Sequence, residues 1–134
     1  ILLLAIIFTT HCFAVELHNF KDIKGTLLNG NNIRIVLDFS KCSSADKAHH
    51  STIGVFTPNE MLILKDHIAT SLTHFTLNNP NFLGKSIYEF ITYTITDKNQ
   101  VKLSSQALDA VSYIPVSETF SFVCKIDTGA KIFS

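Results

Sequence analysis

Ile87-Tyr88-Glu89-Phe90-Ile91-Thr92-Tyr93-Thr94-Ile95 decides the fold class of this chain. Ile87, Ile91, Tyr93 and Ile95 lie on one side of an extended chain. Tyr88, Phe90, Thr92 and Thr94 lie on the other, because side chains alternate along a pleated strand. Thr96-Asp97-Lys98-Asn99-Gln100 then reads as a hairpin loop, and Val101 to Leu108 returns as the partner strand.

Working outward toward the N-terminus, Asn78-Asn79-Pro80-Asn81 is a strong turn signal. Ile68 to Leu77 and Met61 to Leu64 are further strand candidates. Pro58-Asn59 turns the chain, and Thr52 to Thr57 is a short strand. Ser43 to Ser51 is polar and reads as a loop. Before it, Ile33, Ile35, Leu37 and Phe39 alternate with Arg34, Val36 and Asp38, a strand with one buried face. Earlier still the period changes. Leu17, Phe20, Ile23, Leu27 and Leu28 recur at helical spacing with polar residues between them. That predicts one amphipathic helix, stopped by Gly30. Toward the C-terminus, Thr119 to Ile126 alternates, Gly129 breaks the pattern, and Ile132-Phe133 forms a short apolar tail. The expected fold is α+β and mostly β. An N-terminal helix precedes about seven antiparallel strands in a curled sheet or partial barrel.

Ile1-Leu2-Leu3-Leu4-Ala5-Ile6-Ile7-Phe8 is an unbroken apolar run, followed by polar Thr9, Thr10 and His11 and then Cys12-Phe13-Ala14. This matches the apolar core and cleavage region of a secretory signal peptide, with small residues one and three positions before a cut between Ala14 and Val15. It is far shorter than the ~20 apolar residues of a membrane span. Residues 1–14 are therefore expected to be a signal segment that begins late, and 15–134 one domain. Removing Cys12 leaves Cys42 and Cys124, one possible pair in an oxidising compartment. Their bridge would close a loop of about eighty residues, worth roughly 4–5 kcal/mol in the chain-entropy model. The alternative is a reactive thiol at Cys42, for which no thiolate-stabilising neighbour is identifiable.

Eleven basic and eleven acidic residues are interspersed along the chain. That gives no basic patch for nucleic acid and no acidic tail. Phosphate loops, dinucleotide glycine fingerprints and zinc knuckles are absent, and no cofactor is implied.

Several blocks together resemble one family. Ile33 to Cys42, ending Asp38-Phe39-Ser40-Lys41-Cys42, is similar to the strand ending in Asp-x-Ser-x-Cys of the VirK family. Ser71-Leu72-Thr73-His74-Phe75-Thr76 resembles its Ser-x-x-His-Phe-Thr segment. Glu89-Phe90-Ile91-Thr92-Tyr93 resembles its Glu-Phe-x-x-Tyr strand, followed here by Asp97 in the hairpin. Phe120 to Cys124 with Gly129 resembles its C-terminal ending. The glycine-rich step after the first Cys is reduced to Gly54, and Thr92 stands where arginine is often found. The resemblance implies a small exported bacterial protein associated with virulence and implies no particular activity.

His74, which lies in that resemblance, is the first candidate catalytic residue, with Ser71 or Cys42 as nucleophile and Asp66 nearby in sequence. A nucleophile elbow is missing, and a lone strand histidine is usually structural. His49 and His50, with Asp46, are the candidate metal ligands, although adjacent histidines point apart on an extended chain. Tyr88, Phe90 and Tyr93 are candidates to line a ligand pocket. Asp38 and Arg34 share the less apolar face of a strand, where ion pairing is the natural role. The leading expectation is a non-enzymatic exported domain, periplasmic or secreted, that binds a protein partner or a small apolar ligand. The competing expectations are a small hydrolase-like enzyme using His74 with Ser71 or Cys42, and a periplasmic chaperone-like factor that pairs clients at an edge strand. The signal reading has a direct check: N-terminal sequencing of the protein recovered from outside the cytoplasm should begin at Val15, and a chain that retains Ile1 to Ala14 there contradicts it.

Overall fold

The computed structural model describes residues 13–44 and 52–134. It is mostly β, with ten strands and one α-helix among the described residues. They are β1 (Glu16–Leu17), α1 (Phe20–Leu28), β2 (Arg34–Asp38), β3 (Ser43–Ser44), β4 (Ile53–Phe56), β5 (Leu62–Ile63), β6 (His67–Thr76), β7 (Ile87–Thr96), β8 (Gln100–Asp109), β9 (Phe120–Lys125) and β10 (Ala130–Phe133).

The strands form two antiparallel sheets rather than one curled sheet, and neither closes into a barrel. The smaller sheet has the order β1-β10-β2-β4 and the larger β3-β9-β8-β7-β6-β5. The expectation of about seven strands in a single layer fails at the chain ends. Ile132-Phe133 is no loose tail: β10 pairs along β2, Ala130 opposite Leu37 and Ile132 opposite Ile35. β1 in turn pairs with β10, Leu17 opposite Ile132. Such pairings join residues about a hundred positions apart, and local periodicity carries no trace of them. They also shorten the expected helix. Leu17 belongs to β1, and α1 starts after Asn19, whose side chain accepts the Asp22 N–H at 3.0 Å as an N-cap. At its other end the chain leaves α1 through Gly30 at φ 82°, a left-handed conformation that glycine adopts without Cβ strain.

The larger sheet is a meander in strict register. On its inner face the rows run Ile68–Ile95–Val101–Cys124, then Thr70–Tyr93–Leu103–Phe122, then Leu72–Ile91–Ser105–Phe120, then His74–Glu89–Ala107. The first row is wholly buried apolar surface and the fourth holds a histidine and a carboxylate. Opposite lies the inner face of the smaller sheet, where Leu17, Ile35, Leu37, Ala130 and Ile132 join the same core. Helix α1 closes the hairpin end of the two layers. Its Ile23 is fully buried, its Phe20 N–H donates to Asn99 Oδ1 at 2.8 Å, and Lys24 Nζ donates to the Leu64 carbonyl at 2.9 Å. No described helix is long and apolar enough to cross a membrane.

Cys42 and Cys124 are joined, with Sγ atoms 2.02 Å apart and Cα atoms 4.4 Å apart. The bridge lies where the chain changes sheets twice. Cys42 sits between β2 of one sheet and β3 of the other, and Cys124 lies on β9 just before the chain returns as β10. Gly129 allows that approach: a Cβ there would stand 3.0 Å from both Cys42 Sγ and the Lys41 carbonyl oxygen.

Candidate functional site

The two sheets differ in length, and this creates the main concavity. β6, β7 and β8 each have ten residues, about 33 Å at the usual rise. β2, β4 and β10 have four or five. The short sheet covers the rows nearest the helix, with Phe56 of β4 packed 5.1 Å from the Tyr93 ring. Past that contact no other described strand faces the long sheet, and a cleft of about 570 Å³ opens over it.

Ile91, Leu103, Ser105 and Glu89 line the cleft from β7 and β8, and Phe120 and Phe122 from β9. Phe39, Thr52 and Phe56 supply the facing wall, with Phe39 tilted against Phe122 at 4.8 Å between ring centres. Asn81 and Phe82 come from the loop after β6, and Ser117 from the segment before β9. That loop is built by the turn that Asn78-Asn79-Pro80-Asn81 predicts. Asn79 Oδ1 accepts the Asn81 N–H at 2.8 Å, and Asn79 Nδ2 donates to Glu89 Oε1 at 2.5 Å. One side chain thus shapes the loop that carries Phe82 and orients the carboxylate. Ser117 Oγ accepts the Ala107 N–H at 2.9 Å, holding the segment before β9 against the end of β8. A smaller hollow of about 280 Å³ beside Ala14, Arg34 and Phe133 contains none of the candidate catalytic or metal residues.

The residues proposed from sequence are mostly kept apart. His74 and Ser71 are three positions apart on β6, so they face opposite sides of the sheet. His74 shares the inner face with its cross-strand neighbour Glu89, whereas Ser71 faces outward with Thr92. A Ser71–His74 dyad is therefore ruled out by the pleat. Cys42 is tied in the disulfide and is not a free nucleophile. Asp66 pairs instead with His67, Oδ1 to Nδ1 at 2.8 Å, and that hydrogen bond lowers its pKa.

Tyr88, Phe90 and Tyr93 do not line one pocket. Tyr93 is inside the core at 1% exposure, while Tyr88 and Phe90 are on the outer face. There Tyr88 stacks on Tyr113 at 5.8 Å and meets Phe75 edge-on at 5.5 Å. Asp38 bonds Lys41 at 2.8 Å and Ser40 at 2.5 Å, which together hold its pKa below the ordinary carboxylate value. Its expected ion pairing with a neighbour is observed, with Lys41 as the partner. His49, His50 and Asp46 lie outside the described residues, as does the segment through Cys12.

Two groups were not singled out from sequence. Glu89 is the first, and the signal was available: it has the parity of Ile87, Ile91 and Tyr93, so a carboxylate was due on the inner face. The second is Glu16, His18 and Asp127, whose potential ligand atoms lie within 4.8 Å of one another. His18 Nδ1 meets Asp127 Oδ1 at 2.8 Å, and Glu16 meets Lys131 at 3.5 Å. The Asp127 hydrogen bond raises the His18 pKa. These exposed contacts read as surface ion pairing between β1, β10 and the turn before it.

Tyr93 carries a phenol whose oxygen finds no hydrogen-bond partner among the described residues. Burial first, and then the Glu89 charge, push its pKa well above the ordinary value.

A family model described as VirK protein matches residues 16–113. A crystal structure of a VirK family protein from Legionella pneumophila has a TM-score of 0.84 to this chain. The two are 27% identical, over 90% of this chain and 100% of that one. Among curated proteins nothing matches.

Replacing Tyr93 by Phe removes a buried polar group that is not hydrogen-bonded. Chemical denaturation should show Tyr93→Phe equal to the parent or more stable by about 1–2 kcal/mol near neutral pH. The advantage should widen above pH ~10, because a phenol with a raised folded pKa loses its stabilising contribution as pH climbs past the unfolded value. A variant destabilised by several kcal/mol would show that the hydroxyl has a partner the account lacks.

Proposed function

The chain belongs to the VirK family, and from that premise we propose that it is an exported, non-enzymatic binding domain that holds a small, largely apolar ligand between its sheets. The single observation that supports this most is the cleft. Its volume of about 570 Å³ lies inside the 300–1,000 Å³ range of small-molecule sites. Five phenylalanines with Ile91 and Leu103 make its walls mainly apolar, with a few hydrogen-bonding groups among them, which is the usual composition of such a site.

Export is supported by the apolar octet Ile1 to Phe8 and by the disulfide, which persists in oxidising compartments. Val15, the first residue after the expected cut, exchanges backbone hydrogen bonds with Ser134 at 3.1 and 3.0 Å. Residues 15–134 are then the mature domain, accessory to virulence as the family likeness suggests. The hydrolase alternative loses both of its nucleophiles, Ser71 to the wrong face and Cys42 to the disulfide.

A second reading has its own observation. On the outer face of the large sheet the exposed rings of Phe75 and Phe90, and Tyr113 from the loop after β8, all contact the Tyr88 ring. An exposed aromatic cluster of this kind suits a protein partner.

The cleft reading is tested with the neutral fluorophore N-phenyl-1-naphthylamine. The mature protein should enhance its emission saturably. Ser105→Phe, which fills the floor, should weaken binding about tenfold or more while the far-ultraviolet circular dichroism is unchanged. Equal affinity for parent and variant would place the apolar site elsewhere.

A further inference from the structure

Within the cleft the charge is one-sided. Glu89 is the one charged side chain among its described lining residues, and neither lysine nor arginine joins it there. Asn79 occupies Oε1, and Oε2 makes no hydrogen bond with the described residues. The carboxylate is half-buried on the inner face, with Ile91 and Ile87 on either side of it along β7. A carboxylate set beside apolar walls attracts an ionic partner more strongly than one in open water, because fewer waters compete for it.

The neutral polar groups of the cleft, Ser105, Ser117 and Asn81, cannot neutralise that charge. Phe39, Phe56 and Phe122 enclose an apolar volume.

We propose that the cleft selects amphipathic cations: a protonated amine at Glu89, with the apolar body among the phenylalanine rings. This rests on the reading of the cleft as a ligand site and adds the chemical class of the ligand. His74, directly across from Glu89 on β6, is the other titratable group on that row.

The test uses decylamine, decanol and decanoate, which share one chain and differ in the head group. Displacement of N-phenyl-1-naphthylamine at pH 8 ranks their affinities. Decylamine should bind about tenfold more tightly than decanol, as expected of one charge-assisted hydrogen bond, and decanoate more weakly than either. Glu89→Gln keeps an oxygen for Asn79 and should bring decylamine down to decanol without changing decanol. Ser105→Lys, placed diagonally from Glu89 on the neighbouring strand, should abolish the amine preference by internal pairing, which guards against a Glu89 variant that fails to fold.

If decanoate binds as well as decylamine, or Glu89→Gln leaves the preference intact, the cation assignment is overturned while the cleft stands. If none of the three displaces the fluorophore because no fluorophore binds, the cleft reading falls and the assignment with it.

Discussion

Cys42 and Cys124 meet at the seam where the chain passes between its two sheets. After β2 the chain leaves the small sheet through one 3₁₀ turn over Phe39–Lys41, reaches Cys42 and joins the large sheet as β3. After β9 it makes the reverse passage through Asp127 and Gly129 to β10. The Asp38 N–H donates to the Gly129 carbonyl at 2.8 Å, beside the disulfide, so both passages are held together by covalent and backbone bonds. Cys124 has no exposed surface and is part of the core. Breaking this tie would release β3 and β10 together, and β10 is the strand on which β1 and β2 both pair. For a chain of this size the constraint amounts to a large share of total stability.

With the seam fixed, the unequal lengths of the sheets dictate what is covered. Burial favours matching apolar areas, yet the short sheet and helix α1 cannot span a ten-residue meander. The uncovered end is therefore lined by side chains that tolerate partial exposure. Five of the chain's 11 phenylalanines, Phe39, Phe56, Phe82, Phe120 and Phe122, collect there. Glu89 is acceptable at core parity because it lies in this uncovered region, where Asn79 and solvent share its desolvation. The same position within the first row, between Ile68 and Val101, would leave a carboxylate among wholly buried aliphatic groups. Fold and site thus have one origin: the cleft follows from the mismatch, and the Asn79 loop and the Ser117 segment complete its rim.

Period-two alternation exposed β7, β8 and the buried faces of β2 and β9, because one-sided burial is written locally. It also held the answer to two questions it was not asked. Odd spacing separates Ser71 from His74 and Tyr88 from Tyr93, and even spacing puts Glu89 with Ile91. What the sequence could not show is long-range pairing. The apolar pair Ile132-Phe133 has no local feature that directs it to Ile35 and Arg34, and Leu17 looks helical because its spacing to Phe20 is helical. The division into two sheets depends on those pairings, so a single curled layer was the natural expectation. The disulfide was legible by arithmetic on the cysteines. The facing of Phe39 and Phe122 across the cleft depends on that arithmetic being combined with the sheet order.

The central claim is that the space between the sheets, rather than the outer aromatic face, receives the ligand. An amide NMR titration of the mature protein with decylamine tests it directly. The account predicts shifts concentrated at Phe56, Glu89, Ile91, Leu103, Ser105 and Phe122. Shifts confined instead to Phe75, Tyr88, Tyr113 and Ile114 would contradict it and move the site to the outer face.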